Sequence, residues 1–482
     1  MVLFSFCFFL LLFVIIGVFS ILENKHTSDD YLIANRNVKP WMAALSAVAT
    51  NNSGYMFIGM IGFTYIAGLS SIWLLVGWIS GDFLSSSFIH KKLRIQTEKK
   101  NAISYASLLS YWQETDFRWM RILGGVITVL FLGTYAAAQL KAGSKALYVM
   151  FGWDYSAGAI IGALIVLAYC FAGGIRASIW TDVAQSFVMI TAMTILFFTS
   201  LADVGGIKSF LVQLNQVSPG YSDFFPSDMF FGPFLGPILL ILGWLFAGFG
   251  VIGQPHIMIR FMAINNADNM GRTRTYYYIW YTCFYLLTFG TGLMARLLMP
   301  DVGIFDEELA LPLLAKTLLS DFFVGLILAG LFAATMSTAD SQILSCTASI
   351  SQDLKLNKSN AYWLNKLITI VVAVLALSIA LHGNESVFQL VLIAWSALAS
   401  AFAPLLTVYA LGGKPRQSTA IAMMLTGLAA MLCWHYRGYS EDVYEIMPGI
   451  LAGFIPFGLQ TVWEKWEEHQ HRAGYNQNDH PG

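Results

Sequence analysis

The chain has 482 residues, 57% of them apolar and 11% charged, with 27 basic against 28 acidic side chains and a mean hydropathy of +0.64. Soluble domains average about 25% charged residues, so lipid is the main solvent of this chain. The near balance of charge gives no reason to expect a nucleic-acid partner.

No Asp, Glu, Lys or Arg occurs in 1–22, 40–81, 122–140, 155–175, 183–202, 229–259, 275–295, 322–339, 367–384, 386–413, 417–436 or 446–463. A bilayer core about 30 Å thick needs about 20 helical residues, so 40–81 must hold two crossings around a turn near Gly68-Leu69-Ser70. The total is about thirteen transmembrane helices in an all-α polytopic membrane protein. The stretch 1–22 lacks a basic start and a small-residue cleavage site, and it reads as a first span rather than a signal peptide. With the loops taken in alternation, most Lys and Arg, including Lys91, Lys92, Arg94, Lys99, Lys100 and Arg260, fall on one side, and Lys208, Lys316 and Arg437 on the other. The positive-inside rule then places the C-terminus in the cytoplasm and the N-terminus outside, in a multi-pass protein of the cell membrane.

The second span carries Thr50, Asn51, Asn52, Ser53 and Gly54 in succession at mid-membrane depth. Such residues form helix poorly, because their side chains compete for backbone hydrogen bonds. A broken helix is predicted here, and its freed carbonyls are suited to a cation. In the third span Asp82, followed by Ser85, Ser86, Ser87 and a basic run, reads as an interfacial charge. Asp182, just inside the sixth span, reads either as a functional carboxylate or as an interfacial partner of Arg176. In the ninth span Ala334, Ser337, Thr338 and Ser341 follow an i, i+3, i+4, i+7 spacing and share one helical face. Asp340 lies at the edge of that face. A carboxylate at such depth costs at least about 2.5 kcal/mol on insertion scales and marks an ion or solute path. The last residues, 464–482, read as a polar cytoplasmic tail, in which His469 and His471 are solvated. The five cysteines show no metal spacing.

Four blocks in order, DDYLIANRNVKPWMAALSAVATNNSGY, GGIRASIWTDVAQS, GQPHIMIRFMA and AATMSTADSQILSCTASISQDL, give the chain its resemblance to the sodium:solute symporter family, most closely the bacterial sodium/proline symporter branch. The resemblance implies a leucine-transporter-like fold of two inverted five-helix repeats, 40–202 (spans 2–6) and 229–413 (spans 7–11). One helix (1–22) precedes them and two (417–463) follow. It implies sodium-driven symport of a small organic solute by alternating access, with Na+ as the coupling ion. The main sodium site would be the backbone of Ala49 and Asn52 with Ala334, Ser337 and Thr338. A second cation site would be built from Asp182, Asp340 and Ser341, where other members have Ser at the position of Asp340.

The solute pocket is placed beside Ser53, Gly54, Tyr55, Tyr135, Trp244 and Gln254. Proline-transporting relatives carry a Trp where this chain has Tyr55, and a Trp and a Tyr at the positions of Ala247 and Val251. The expected class is therefore an amino acid, proline-like, or a short carboxylate. A transporter-like sensor with a separate signalling partner is the alternative reading. A membrane enzyme would need a clustered catalytic set at one membrane face, and the sequence offers none, nor a Walker A pattern.

Overall fold

In a computed structural model of the chain, the structure describes residues 1–23, 25–356, 361–382, 387–441 and 443–478, with the side chains of 441 and of 471–478 excepted. Among these residues the chain is helical throughout, and its one β feature is an isolated parallel bridge between Val38 and Ile264. Ten helical stretches are long and apolar enough to cross a membrane, fewer than the thirteen expected from charge-free windows. The difference has three physical sources. Tyr155–Asp203 is one stretch of 49 residues, about 74 Å if straight and more than twice a hydrocarbon core. It is interrupted at Gly174, whose φ of 57° and ψ of −137° are not helical. A Cβ there would meet the Tyr31 carbonyl oxygen at 2.3 Å, so only glycine fits the bend. Pro40–Phe57 and Met270–Leu298 are not among the ten, the first diluted by its polar run and the second by Arg272, Arg274 and its tyrosines.

The turn expected near residues 68–70 is present as Gly68–Ser71, with Gly68 at φ 67°. The predicted loop 203–228 contains a helix, Gly206–Leu214. Beyond it the chain is tied down, for the Leu69 N–H donates to the Tyr221 carbonyl at 2.9 Å and Trp73 Nε1 to the Phe224 carbonyl at 2.8 Å. The basic run after residue 90 continues the Ile72–Lys99 helix rather than forming a loop. The C-terminal segment expected as a tail from 464 also continues a helix, Ile446–Asn478. Residues 479–482 and the His471 side chain lie outside the described part.

At the centre stands Asp321–Ala348, buried at every position from Val324 to Ala348. Nothing on it faces lipid, which is why it tolerates Ser337, Thr338, Asp340, Ser341 and Gln342 in sequence. Pro40–Phe57, Arg118–Phe151 and Tyr155–Asp203 all pack against it. The first helix, Val2–Phe19, buries Phe6 and Phe13 against the bundle and leaves Phe4, Phe8 and Leu11 exposed, as a peripheral lipid-facing span does.

Candidate cation and solute sites

The helix Pro40–Phe57 breaks at Ser53, whose φ of 50° and ψ of 179° lie outside the helical region. The break re-routes backbone hydrogen bonds. The Gly54 N–H, which a continuous helix would spend on the Thr50 carbonyl, donates to Gln139 Oε1 at 2.8 Å. The Thr50 carbonyl accepts from the Thr338 hydroxyl at 3.0 Å, and the Ala49 carbonyl accepts from the Ser337 hydroxyl at 3.2 Å. Both hydroxyls also reach the Ala334 carbonyl, at 3.1 Å and 3.0 Å. Five oxygens from the two elements thus converge, all within buried residues. The side chain of Asn52 is buried with neither its oxygen nor its nitrogen partnered. Neutral carbonyls and hydroxyls are the ligands that hard cations take, so Ala49, Ala334, Ser337 and Thr338 fit a sodium ion. Thr50 joins them through its carbonyl.

The residues predicted for a second cation site are also gathered, with one addition. Asp182 and Asp340 are both fully buried, and the guanidinium of Arg260 lies between them, 3.4 Å from Asp182 Oδ2 and 3.8 Å from Asp340 Oδ1. Arg260 was expected among the loop charges; the structure instead buries it on the short helix Pro255–Met262. It donates further to Ser178 Oγ at 2.6 Å, to Ser46 Oγ at 3.2 Å and to Ser341 Oγ. Ser46 in turn donates to Asp182 Oδ2 at 2.6 Å, and Ser178 and Ser341 donate to Asp340 Oδ1 at 2.8 and 2.9 Å. Asp182 Oδ1 and Asp340 Oδ2 have no partner. The interfacial reading of Asp182 is corrected here, because Arg176 pairs with Asp30 and Glu23 instead. Asp82 is likewise no interfacial charge but fully buried.

Around the break, Tyr55 stacks on Phe388 with ring centroids 5.4 Å apart and lies 5.7 Å from Trp78. The Tyr135 hydroxyl donates to Ser53 Oγ at 3.5 Å, and its ring meets His256 edge-on at 5.6 Å. Gln254 Nε2 donates to the Trp395 carbonyl at 3.0 Å. Trp244 stands one ring further out than expected, touching Trp78, Phe63 and Tyr444 rather than Tyr55. Several neutral polar groups in this shell are buried without partners: Tyr55 Oη, Trp78 Nε1, Gln139 Nε2, Gln254 Oε1 and both nitrogens of His256. Each such group costs about 1–3 kcal/mol if left dry, so their clustering marks a place built to receive a hydrogen-bonding guest. Beyond Phe388 a cleft of about 820 Å³ opens, lined by Gly59, Phe63, Lys145, Glu308 and Phe388 among others. Toward Ser104, Tyr105 and Pro255 the space is only about 10 Å³. Glu308 is held by Lys145 and accepts from the Phe388 N–H at 2.9 Å, fixing the ring that lies between cleft and Tyr55.

The break and the Ser337/Thr338 face are foreseeable from polar residues in an apolar run. Arg260, Gln139, Trp395 and Phe388 are not, since each acquires its role only from the helix packed opposite.

The comparisons with known proteins agree with this geometry. The model of the sodium:solute symporter family matches residues 31–427. The sodium/proline symporter of Salmonella typhimurium is 28% identical over 97% of this chain and 97% of its own length. The osmoregulated proline transporter OpuE of Bacillus subtilis is 28% identical over 89% of each chain. In fold, the chain is similar to a sodium-coupled sialic acid symporter in a substrate-bound outward-open state, with a TM-score of 0.79, 19% identity and coverage of 95% of this chain and 98% of that one. It is also similar to the nucleobase-cation-symport-1 family transporter Mhp1, with a TM-score of 0.60, 14% identity and coverage of 90% and 94%. This multi-pass chain is therefore a membrane-embedded transporter of a small solute and not an enzyme, with Na+ as its coupling ion. It belongs to the sodium:solute symporter family.

Proposed function

We propose that the chain couples inward sodium flow to uptake of a small organic solute, proline-like amino acid or short carboxylate, by alternating access in the cell membrane. The observation that carries this reading is the convergence of the Ala49, Thr50 and Ala334 carbonyls with the Ser337 and Thr338 hydroxyls beside a helix break that also frees the Gly54 and Tyr55 amides. A cation on the carbonyls and a carboxylate near a half-helix N-terminus would lie within a few residues of each other, so each would raise the other's affinity. The unpartnered groups of Gln139, Gln254 and Tyr55, with Ser53 and Tyr135, would receive the solute's polar atoms, and the Phe388 ring would cover it. The proline transporters among the relatives support an amino-acid guest.

In this reading 40–202 and 229–413 are the two inverted repeats. Thirteen crossings result when the bend at Gly174 is a reversal and the helices at 40–57 and 270–298 are counted as spans. The N-terminus is then outside, the cleft faces outward, and the closed side carries the basic run. The buried group of Asp182, Asp340 and Arg260 holds two carboxylates against one guanidinium when all are ionised, an excess of one negative charge. A second coupled cation at Asp182, Asp340 and Ser341 would neutralise it. Uptake of a panel of amino acids and short carboxylates into proteoliposomes, with and without an inward sodium gradient, tests the reading. Accumulation that requires the gradient is expected; accumulation indifferent to sodium overturns it.

A further inference from the structure

Another buried carboxylate lies on a different face of the split helix and belongs to neither cation site. Asp82, in the Ile72–Lys99 helix, is fully buried. Its Oδ2 accepts from the Tyr277 hydroxyl at 2.8 Å, and that hydroxyl accepts from Asn51 Nδ2 at 2.6 Å. Asp82 Oδ1 and Asn51 Oδ1 have no partner. Asn51 adjoins Thr50, whose carbonyl is one of the main-site oxygens, so two hydrogen bonds connect the carboxylate to the backbone that receives sodium.

The surroundings supply no counter-ion. Arg274 is the nearest cation on the Met270–Leu298 helix, and its N–H groups go to Ser86 Oγ at 3.1 Å, Ser87 Oγ at 2.6 Å and the Phe83 carbonyl at 3.3 Å. Tyr278 and Tyr281 of that helix also face the site. The Gly232–Phe249 helix presents Leu245 and Phe249 to the adjoining Gly81 and no titratable group. On Pro255–Met262 Arg260 is committed to Asp182, and Phe261 lies on the His90 ring at 4.0 Å. Asp268 pairs with Lys91 at 2.8 Å, and Val387–Ala410 meets this helix through Trp395 on Trp78 and through the Ala410 carbonyl, which accepts from Lys92 at 2.6 Å.

A carboxylate with no ion partner at this depth is costly, and such residues commonly serve proton or ion paths. A path is present. Asp82, Ser86, His90 and Arg94 recur at every fourth residue, so they line one helical face, and they are 0%, 1%, 1% and 2% exposed. Both ring nitrogens of His90 lack partners. The file runs from the membrane interior to the basic end of the helix.

We propose that Asp82 is a proton site of the transport cycle, reached from the basic end of the helix along Ser86 and His90 and read by the main sodium site through Tyr277 and Asn51. Loading transfers a proton from hydronium to Asp82 Oδ1, forming an O–H bond, releasing water and leaving a neutral carboxyl; unloading reverses this. The ionised form adds a negative charge near the sodium oxygens and tightens sodium; the protonated form removes that charge. The inference rests on the sodium-symport reading above.

Sodium chloride titrations of intrinsic tryptophan fluorescence test it, on the full chain in nanodiscs with choline chloride as the ionic-strength control. Between about pH 5.5 and pH 8.5, a window that spans ordinary His and raised carboxyl titrations, the sodium concentration for half-saturation should fall about threefold or more as pH rises. Asp82→Asn should hold it at the weak, low-pH value throughout. His90 titrates in the same window, so the decision lies with the Asp82 variant. A wild-type profile retained in Asp82→Asn, or a flat profile in the wild type, overturns the proton site and leaves sodium coupling standing. No saturable sodium response in the wild type at any pH overturns the symport reading instead. Tyr277→Phe, which keeps the carboxyl and cuts the relay, decides the matter where Asp82→Asn does not fold: a flat profile supports the proposal and an unchanged one overturns it.

Discussion

The two buried polar regions on the central helix, one turn apart, are built on opposite principles. The site at Ala49, Thr50, Ala334, Ser337 and Thr338 contains no formal charge; its oxygens are backbone carbonyls and hydroxyls exposed by a helix break. The group at Asp182, Asp340 and Arg260 is all charge, braced by Ser46, Ser178 and Ser341. A neutral set binds a cation weakly enough to release it each cycle, whereas a charged set with its own guanidinium holds its geometry whether or not a further ion is present. The comparison teaches that sodium exchange belongs to the first region, and that the second couples the short Pro255–Met262 helix rigidly to its neighbours.

The largest expected effect comes from unbalancing the charged region. Arg260→Gln leaves two carboxylates buried without their cation, and breaking such a pair costs about 3–5 kcal/mol. Membrane-inserted protein abundance and thermal stability should both drop sharply, and Arg260→Gln combined with Asp182→Asn should recover much of the loss. An Arg260→Gln protein as stable as the wild type would show that the two regions do not differ in this way.

A smaller effect is expected at the solute shell. Tyr55→Ala removes the ring stacked on Phe388 and should weaken solute affinity about tenfold, or about 1.4 kcal/mol. The sodium-induced change in tryptophan fluorescence should stay near wild type. Equal loss of both would make Tyr55 a packing residue of the bundle.

The smallest effect on stability, and the sharpest on stoichiometry, is expected from Asp340→Asn. It removes the excess negative charge while Arg260 keeps Asp182 as partner. Reversal potentials in proteoliposomes should report about one fewer coupled cation per solute, with protein abundance unchanged. An unchanged stoichiometry would remove Asp182, Asp340 and Ser341 from the cation sites.

How much of this was legible in the sequence depended on whether a residue's role is set along its own helix or across to another. The break at 50–54 was visible because five successive small or polar residues oppose helix formation wherever they stand. The Ser337, Thr338 and Ser341 face was visible through its helical spacing. Arg260 was not, because a basic residue at the end of an apolar run resembles a loop anchor until Ser46, Ser178 and Ser341 are seen around it. Asp82 was misjudged for a similar reason: Ser85–Ser87 and the basic run suggest water, yet the helix stays covered by Met270–Leu298 for two further turns. The helix count diverged at 155–203, where a glycine bend joins two segments without a polar break.

The most direct test of the central claim, that the neutral oxygens at the break bind the coupling sodium, is the sodium dependence of uptake in the Ser337→Ala/Thr338→Ala double variant. The hydroxyls that meet the Ala49 and Thr50 carbonyls are then gone, and the sodium concentration for half-maximal uptake should rise about tenfold or more, equivalent to about 1.4 kcal/mol. A double variant with wild-type sodium dependence would contradict the account.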